Sequence, residues 1–241
     1  TKSIPSTASR NFRETMNEKT ACGLILFLLF SSPVLSQQER RTEGGMSMSF
    51  AADKVLYGNL NINFEEELRL TTGSNAFDRT AGALGLDYSL FGKKVKIGAC
   101  YAFIYLYNDD HVYESRHRFF LNLSYRQPIE SFTLSWRIRL QETLRDNSRG
   151  SYRINPRYVM KNKLEAEYAI WGKPWKPFLS CDFSTNLNDP ETRYDLVRLR
   201  FQGGIAWRIN RTTSMDFFVR WDEYLKNSDP RVVSLGVAYK I

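Results

Sequence analysis

The stretch Phe132-Thr133-Leu134-Ser135-Trp136-Arg137-Ile138-Arg139-Leu140-Gln141 places an apolar side chain at every even position and a polar or charged one at every odd position. A period of two is that of a β-strand, whose successive side chains point to opposite faces. This strand therefore has one face that avoids water and one that carries Arg137 and Arg139. Its neighbours along the chain decide what those faces meet.

Working outward, the same alternation recurs from about residue 60 onward. Leu60, Ile62, Phe64, Leu68 and Leu70 oppose Asn61, Asn63, Glu65, Glu67 and Arg69. Leu84, Leu86, Tyr88 and Leu90 oppose Gly85, Asp87 and Ser89, ahead of the turn Phe91-Gly92-Lys93-Lys94. Ile97, Tyr101, Phe103 and Tyr105 follow, and then Phe119, Leu121, Leu123 and Tyr125 stand against Arg116, Arg118, Asn122 and Arg126. Beyond the opening stretch, Leu164, Ala166 and Tyr168 alternate with Lys163, Glu165 and Glu167, and Leu179, Cys181 and Phe183 with Ser180, Asp182 and Ser184. Val197, Leu199, Phe201, Ile205 and Trp207 oppose Arg198, Arg200, Gln202, Gly204, Ala206 and Arg208. Met215, Phe217, Val219 and Trp221 oppose Asp216, Arg220 and Asp222, and a last strand closes the chain.

This pattern predicts an all-β fold over residues 59–241: a single antiparallel up-and-down transmembrane β-barrel of about ten strands, with twelve as the alternative. Connections after residues 70, 107, 145, 187 and 226 read longer than those after 90, 126, 170 and 209, as extracellular loops are longer than periplasmic turns. An even strand count with the carboxy terminus in the periplasm is expected from this. Tyr88, Tyr125, Phe132, Tyr168, Trp207 and Tyr239 gather beside the short turns as one aromatic girdle would. A soluble barrel or sandwich would show the same alternation. Small residues among the charges, at Gly85, Gly98, Ala102, Gly204, Ala206, Gly236 and Ala238, favour a crowded interior over open solvent.

Composition agrees. Of 241 residues 42% are hydrophobic and 14% aromatic, yet mean hydropathy is −0.43, a balance that excludes a helical membrane protein and fits strands with one polar face. Residues 16–36 read as a signal peptide: Met16 to Thr20 with Lys19, the apolar run Ala21 to Phe30, the break at Ser31-Ser32-Pro33, and Val34 and Ser36 at cleavage positions before Gln37. Residues 1–15 are expected to lie upstream of the true start, and residues 37–58 to be an extension, a small plug or part of a first strand. Removing residues 1–36 takes the net charge from +8 to +6, because they hold four basic and two acidic residues. Charge spread over many strands of an exported chain argues against a nucleic-acid partner. Cys100 and Cys181 fall on opposite faces of their strands, which argues against a disulfide.

In the last residues, Ser234-Leu235-Gly236-Val237-Ala238-Tyr239-Lys240-Ile241 resembles the β-signal read by the barrel assembly machinery, with Gly236, Tyr239 and Ile241 at its marked positions. Ile241 stands where an aromatic is usual. The ordered segments Asn63-Phe64-Glu65-Glu66-Glu67-Leu68-Arg69-Leu70, Glu114-Ser115-Arg116-His117-Arg118-Phe119, Trp136-Arg137-Ile138-Arg139-Leu140-Gln141-Glu142 and Lys161-Asn162-Lys163-Leu164-Glu165 together resemble domain-of-unknown-function family 2490, outer-membrane barrels of Gram-negative bacteria. The resemblance covers residues 45–241, and it implies fold and location but no activity.

The inward face is expected to hold a charge network of Glu65, Glu67, Arg69, Arg116, Arg118, Arg137, Arg139, Glu165, Glu167, Asp182, Arg198, Arg200, Asp216 and Arg220. Asp87, Arg126, Lys163, Arg208 and Asp222 share that face. Arginine suits such work because its planar fork binds carboxylates at two points, and paired long side chains would plug a narrow lumen. The expected role is then a structural or surface-binding module, with a small-solute channel as the alternative. Its partners would be outer-membrane lipid and lipopolysaccharide, the latter met by the basic loop Arg145 to Arg157 with Arg149 and Arg153. Asp109, Asp110 and His111, with His117, are the one hint of an omptin-like rim hydrolase. No catalytic residues, cofactor or metal site are expected.

Overall fold

The computed structural model describes residues 42–72, 76–107, 112–148, 154–191, 193–225 and 230–241. The expected signal peptide and upstream segment lie outside the described residues, as do Asp109, Asp110, His111, Arg149 and Arg153.

The strands are β1 (Thr42–Tyr57), β2 (Leu60–Thr71), β3 (Phe77–Leu90), β4 (Val95–Tyr107), β5 (Tyr113–Ile129), β6 (Phe132–Arg145), β7 (Arg157–Tyr168), β8 (Trp175–Asn186), β9 (Leu196–Arg208), β10 (Ser214–Tyr224) and β11 (Arg231–Lys240). They close into one barrel in chain order, so every strand edge within the wall is paired. Neighbours in sequence pair antiparallel, and β1 closes on β11 in parallel, from Thr42 opposite Arg231 to Ala51 opposite Lys240.

Eleven strands correct the expected ten or twelve. The additional one is β1, 16 residues long, in the segment expected to be an extension, a plug or part of a strand. Its alternation is brief: Met46, Met48 and Phe50 oppose Ser47 and Ser49, and then Ala51-Ala52 and Val55-Leu56-Tyr57 break the period. Hydrogen bonding to two neighbours holds it as strand where side-chain pattern is weak. An odd count also overturns the even-count topology. Ten reversals separate β1 from β11, so the first and last strands run the same way and must meet in parallel, with slanted hydrogen bonds.

The β1–β2 connection is the two-residue turn Gly58-Asn59, where Gly58 has φ +53°, a left-handed backbone that a residue without Cβ adopts at no steric cost. That turn sits at the same end as the carboxy terminus, since Asp53 N–H donates to the Ile241 carbonyl at 2.9 Å and Ile241 N–H to that of Ala51 at 2.9 Å. The opposite end carries the two longest connections, residues 146–156 and 187–195. Arg145 and Arg157, expected in a loop, are instead the last residue of β6 and the first of β7.

The outward face is predominantly apolar, with Glu66, His117 and Glu142 among its exceptions, and it is open. Leu84, Leu121, Leu164, Val219 and Leu235 each keep half or more of their surface uncovered. Aromatic pairs edge this belt at both ends. Phe132 meets Tyr168 at 4.8 Å and Trp175 stacks on Trp207 at 5.4 Å beside the short turns. Beside the long loops Tyr105 stacks on Tyr113 at 5.5 Å and Phe77 meets Tyr113 at 6.0 Å, a second girdle that alternation alone did not reveal.

Candidate functional site: the charged interior of the barrel

Because side chains alternate, the odd residues of β2, β3, β6 and β7 and the even residues of β4, β5, β8, β9, β10 and β11 point inward. The interior is not only polar. Ile104 (1% exposed), Phe120, Val159 and Phe218 are buried there, and they support the charges around them. The Arg139 guanidinium lies 4.0 Å over the Phe120 ring and that of Arg220 5.1 Å from the Phe218 ring. The runs Phe119-Phe120 and Phe217-Phe218 hid these inward aromatics, since each outward ring already satisfied the alternation.

Two carboxylates organise one side of the interior. Glu67 on β2 binds Arg69 at 2.8 Å, Arg79 on β3 at 3.0 Å and Arg220 on β10 at 3.5 Å. Asp222 on β10 holds Arg200 of β9 through both oxygens, at 2.5 and 2.9 Å, and lies 4.0 Å from Arg198. Such bidentate, charge-assisted bonds are the strong class of hydrogen bond. Arg79 escaped sequence reasoning because it lies in the Gly/Ser/Asn-containing stretch after β2, where a loop was the simpler expectation. The signal that could have found it is Asp78-Arg79-Thr80-Ala81, which continues the polar-inward phase of Ala83, Gly85 and Asp87.

Other expected members form local pairs. Arg116 bonds Glu114, which is itself buried; Lys163 bonds Glu165 at 2.5 Å; Glu167 reaches Arg126 at 3.1 Å; Asp182 lies 3.9 Å from Arg198; Asp216 takes Lys240 at 2.5 Å; Asp87 lies 3.5 Å from Lys96. The structure does not bring the remaining expected members into ion pairs. Glu65 is exposed near the short-turn end, and Arg118, Arg137 and Arg139 make no ion pair among the described residues. Arg118 donates from Nε to the Thr143 hydroxyl at 3.3 Å, and Arg139 from Nε to the Asn122 amide oxygen at 2.8 Å.

The β-signal residues also have positions with evident packing. A Cβ on Gly236 would meet the Phe218 ring at 2.2 Å, so only glycine fits opposite that inward aromatic. Tyr239 points outward and stacks on Phe50 at 6.0 Å, bridging the parallel seam.

Of the rim histidine hint, only His117 lies among the described residues. His117 points outward from β5, where its Nδ1 is 2.8 Å from the Tyr101 hydroxyl and its ring packs on Phe103 at 5.6 Å. Among the described residues, no three His, Cys, Asp or Glu side chains converge as metal ligands. Cys100 and Cys181 are free, on opposite faces of the wall.

The family described as Protein of unknown function (DUF2490) matches residues 45–232. The chain belongs to this family. The match runs from β1 into β11 and so covers the barrel wall that positions the charges. For this DUF2490 chain, the solved structures include a similar one, the β-domain of the Bordetella autotransporter Brka, at 9% identity and TM-score 0.41, covering 78% of this chain and 84% of that one. No curated protein matches it.

Proposed function

We propose that this barrel spans the bacterial outer membrane, with a lumen closed by ion pairs and buried apolar side chains, and acts there as a structural or surface-binding module. The observation that carries the location is the outward belt. Met46, Met48, Leu86, Leu134, Leu179 and Ile205 are 46–51% exposed, on strands all round the wall. A continuous apolar band of that extent is costly in water and belongs in hydrocarbon, and aromatic girdles at its two edges match the interfaces of a bilayer. Anionic lipopolysaccharide is the partner proposed for the basic residues of the 146–156 connection, whose flanking Arg145 and Arg157 turn inward.

Closure of the lumen rests on its contents. Glu67 draws side chains from β2, β3 and β10 to one point, and Phe120, Phe218 and Ile104 occupy inward positions that a water-filled pore would give to polar groups.

Heat-modifiability gels on outer-membrane fractions test the location, since a folded barrel migrates differently before and after boiling. Identical migration, or recovery in the soluble periplasm, overturns it. Planar-bilayer recordings test closure: little conductance is expected, and stable channels of nanosiemens size would favour the small-solute channel.

A further inference from the structure

Among the described residues, four pairs of cations face one another directly across neighbouring strands on the inward face: Arg69 and Arg79, Arg116 and Arg145, Arg137 and Lys163, Arg139 and Lys161. Like charges placed directly opposite destabilise a sheet. In the first three pairs the chain itself supplies a carboxylate. Glu67 binds both Arg69 and Arg79, Glu114 binds Arg116, and Glu165 binds Lys163. Arg139 and Lys161 receive none. Arg139 lays its guanidinium over the Phe120 ring and donates a hydrogen bond only from Nε, to Asn122, and Lys161 makes no hydrogen bond or ion pair among the described residues.

The ladder register extends this pair. Lys161 stands opposite Ser184, and Ser184 opposite Arg198, so Asn122, Arg139, Lys161, Ser184 and Arg198 form one inward row across five strands. With strands about 4.8 Å apart, Arg139 to Arg198 spans roughly 14 Å of wall, which long side chains can converge across. Glu65 on β2 and Asp182 on β8 are inward-facing acids of the same lumen. Neither pairs with Arg139 or Lys161, and Asp182 is engaged by Arg198 at 3.9 Å. Arg139 and Lys161 are both half-buried, so they remain open to the lumen.

We propose that Arg139 and Lys161, with Ser184 and Arg198 beside them, form an anion site that takes a small oxyanion, a carboxylate or phosphate group, in the role Glu67 plays between Arg69 and Arg79. The free Nη groups of Arg139 and the three ammonium donors of Lys161 match the oxygen acceptors of such a group. The site gives the closed lumen of the proposed function a ligand, and it rests on that reading of the interior while being independent of where the barrel resides.

The test is isothermal titration of the full chain refolded in zwitterionic detergent, with inorganic phosphate in one arm and acetate in the other. One probe is expected to bind saturably at one site. Lys161→Gln and Arg139→Gln should each weaken that binding about tenfold or more, the loss of one charged hydrogen bond. Arg126→Gln, which removes an equal charge from the pair with Glu167, should leave it unchanged. An unboiled gel shift shows that each variant is folded, and if Arg139→Gln fails to fold, Lys161→Gln alone decides. Absence of saturable binding by either probe, or an equal loss in Arg126→Gln, overturns the site. A barrel that fractionates with the outer membrane yet binds neither anion overturns this inference and leaves the proposed function standing; nanosiemens channels from a protein that binds phosphate do the reverse.

Discussion

The wall made by β2, β3, β9 and β10 and the wall made by β5, β6 and β7 are written in the same residues. Both alternate charged residues inward with Leu, Phe and Trp outward, yet their interiors differ. On the first, Glu67 gathers Arg69, Arg79 and Arg220, and Asp222 grips Arg200. On the second, Arg118, Arg137, Arg139 and Lys161 point into the lumen with no carboxylate of the described residues in contact. What separates them is lateral register. Arg200 stands opposite both Asp182 and Asp222, whereas Arg139 stands opposite Asn122 and Lys161. The first wall is held together by shared carboxylates, whereas the second has only the local pairs Arg116–Glu114, Lys163–Glu165 and Arg126–Glu167 and leaves other cations facing one another.

Substitutions of opposite sign on the two walls would break or sharpen that contrast, read as urea midpoints of refolded protein in micelles. The largest effect is expected from Glu67→Gln, which leaves three arginines uncompensated and should cost about 4 kcal/mol, the scale for removing one partner of a buried ion pair. Asp222→Asn should follow at about 3 kcal/mol, since Asp222 is 4% exposed in its side chain and holds one arginine bidentately. If either changes the midpoint no more than a surface control does, the first wall is not charge-stabilised. On the second wall, Lys161→Gln should raise stability by roughly 0.5 kcal/mol through relief of cation–cation repulsion. A midpoint that falls as far as in Asp222→Asn would show that Lys161 has a partner and would remove the contrast. The smallest effect belongs to Arg126→Gln, whose half-exposed bridge to Glu167 should contribute about 0–1 kcal/mol, and less as salt is added.

Much of the barrel was legible because alternation with charges on one phase survives in a single sequence: Phe132 to Gln141 needed no neighbour to be recognised as a strand. β1 was not legible, because Met46 to Phe50 offers three apolar positions and the rest of that strand breaks period. Within the site, inward Glu67, Arg69, Arg200 and Arg220 followed from phase alone. Arg79, Lys161 and Glu114 did not. Arg79 sits past an irregular register at Arg69 and Leu70, Lys161 at the loop-side start of its strand, and Glu114 in what read as a rim loop. Phe120 and Phe218 were masked by the outward phenylalanine before each of them.

The sequence by itself determined which side chains of a strand share a face, because the period of two is a property of the backbone. It thereby determined that a charged face and an apolar face exist and that the apolar one must be covered by lipid or protein. Which charge meets which was decided only by the tertiary structure. Cross-strand partners follow from register and from closure of an odd number of strands, and both are set by hydrogen bonds between segments far apart in the chain. The parallel β1–β11 seam, the grouping of three arginines about Glu67 and the uncompensated pair Arg139–Lys161 all arise at that level.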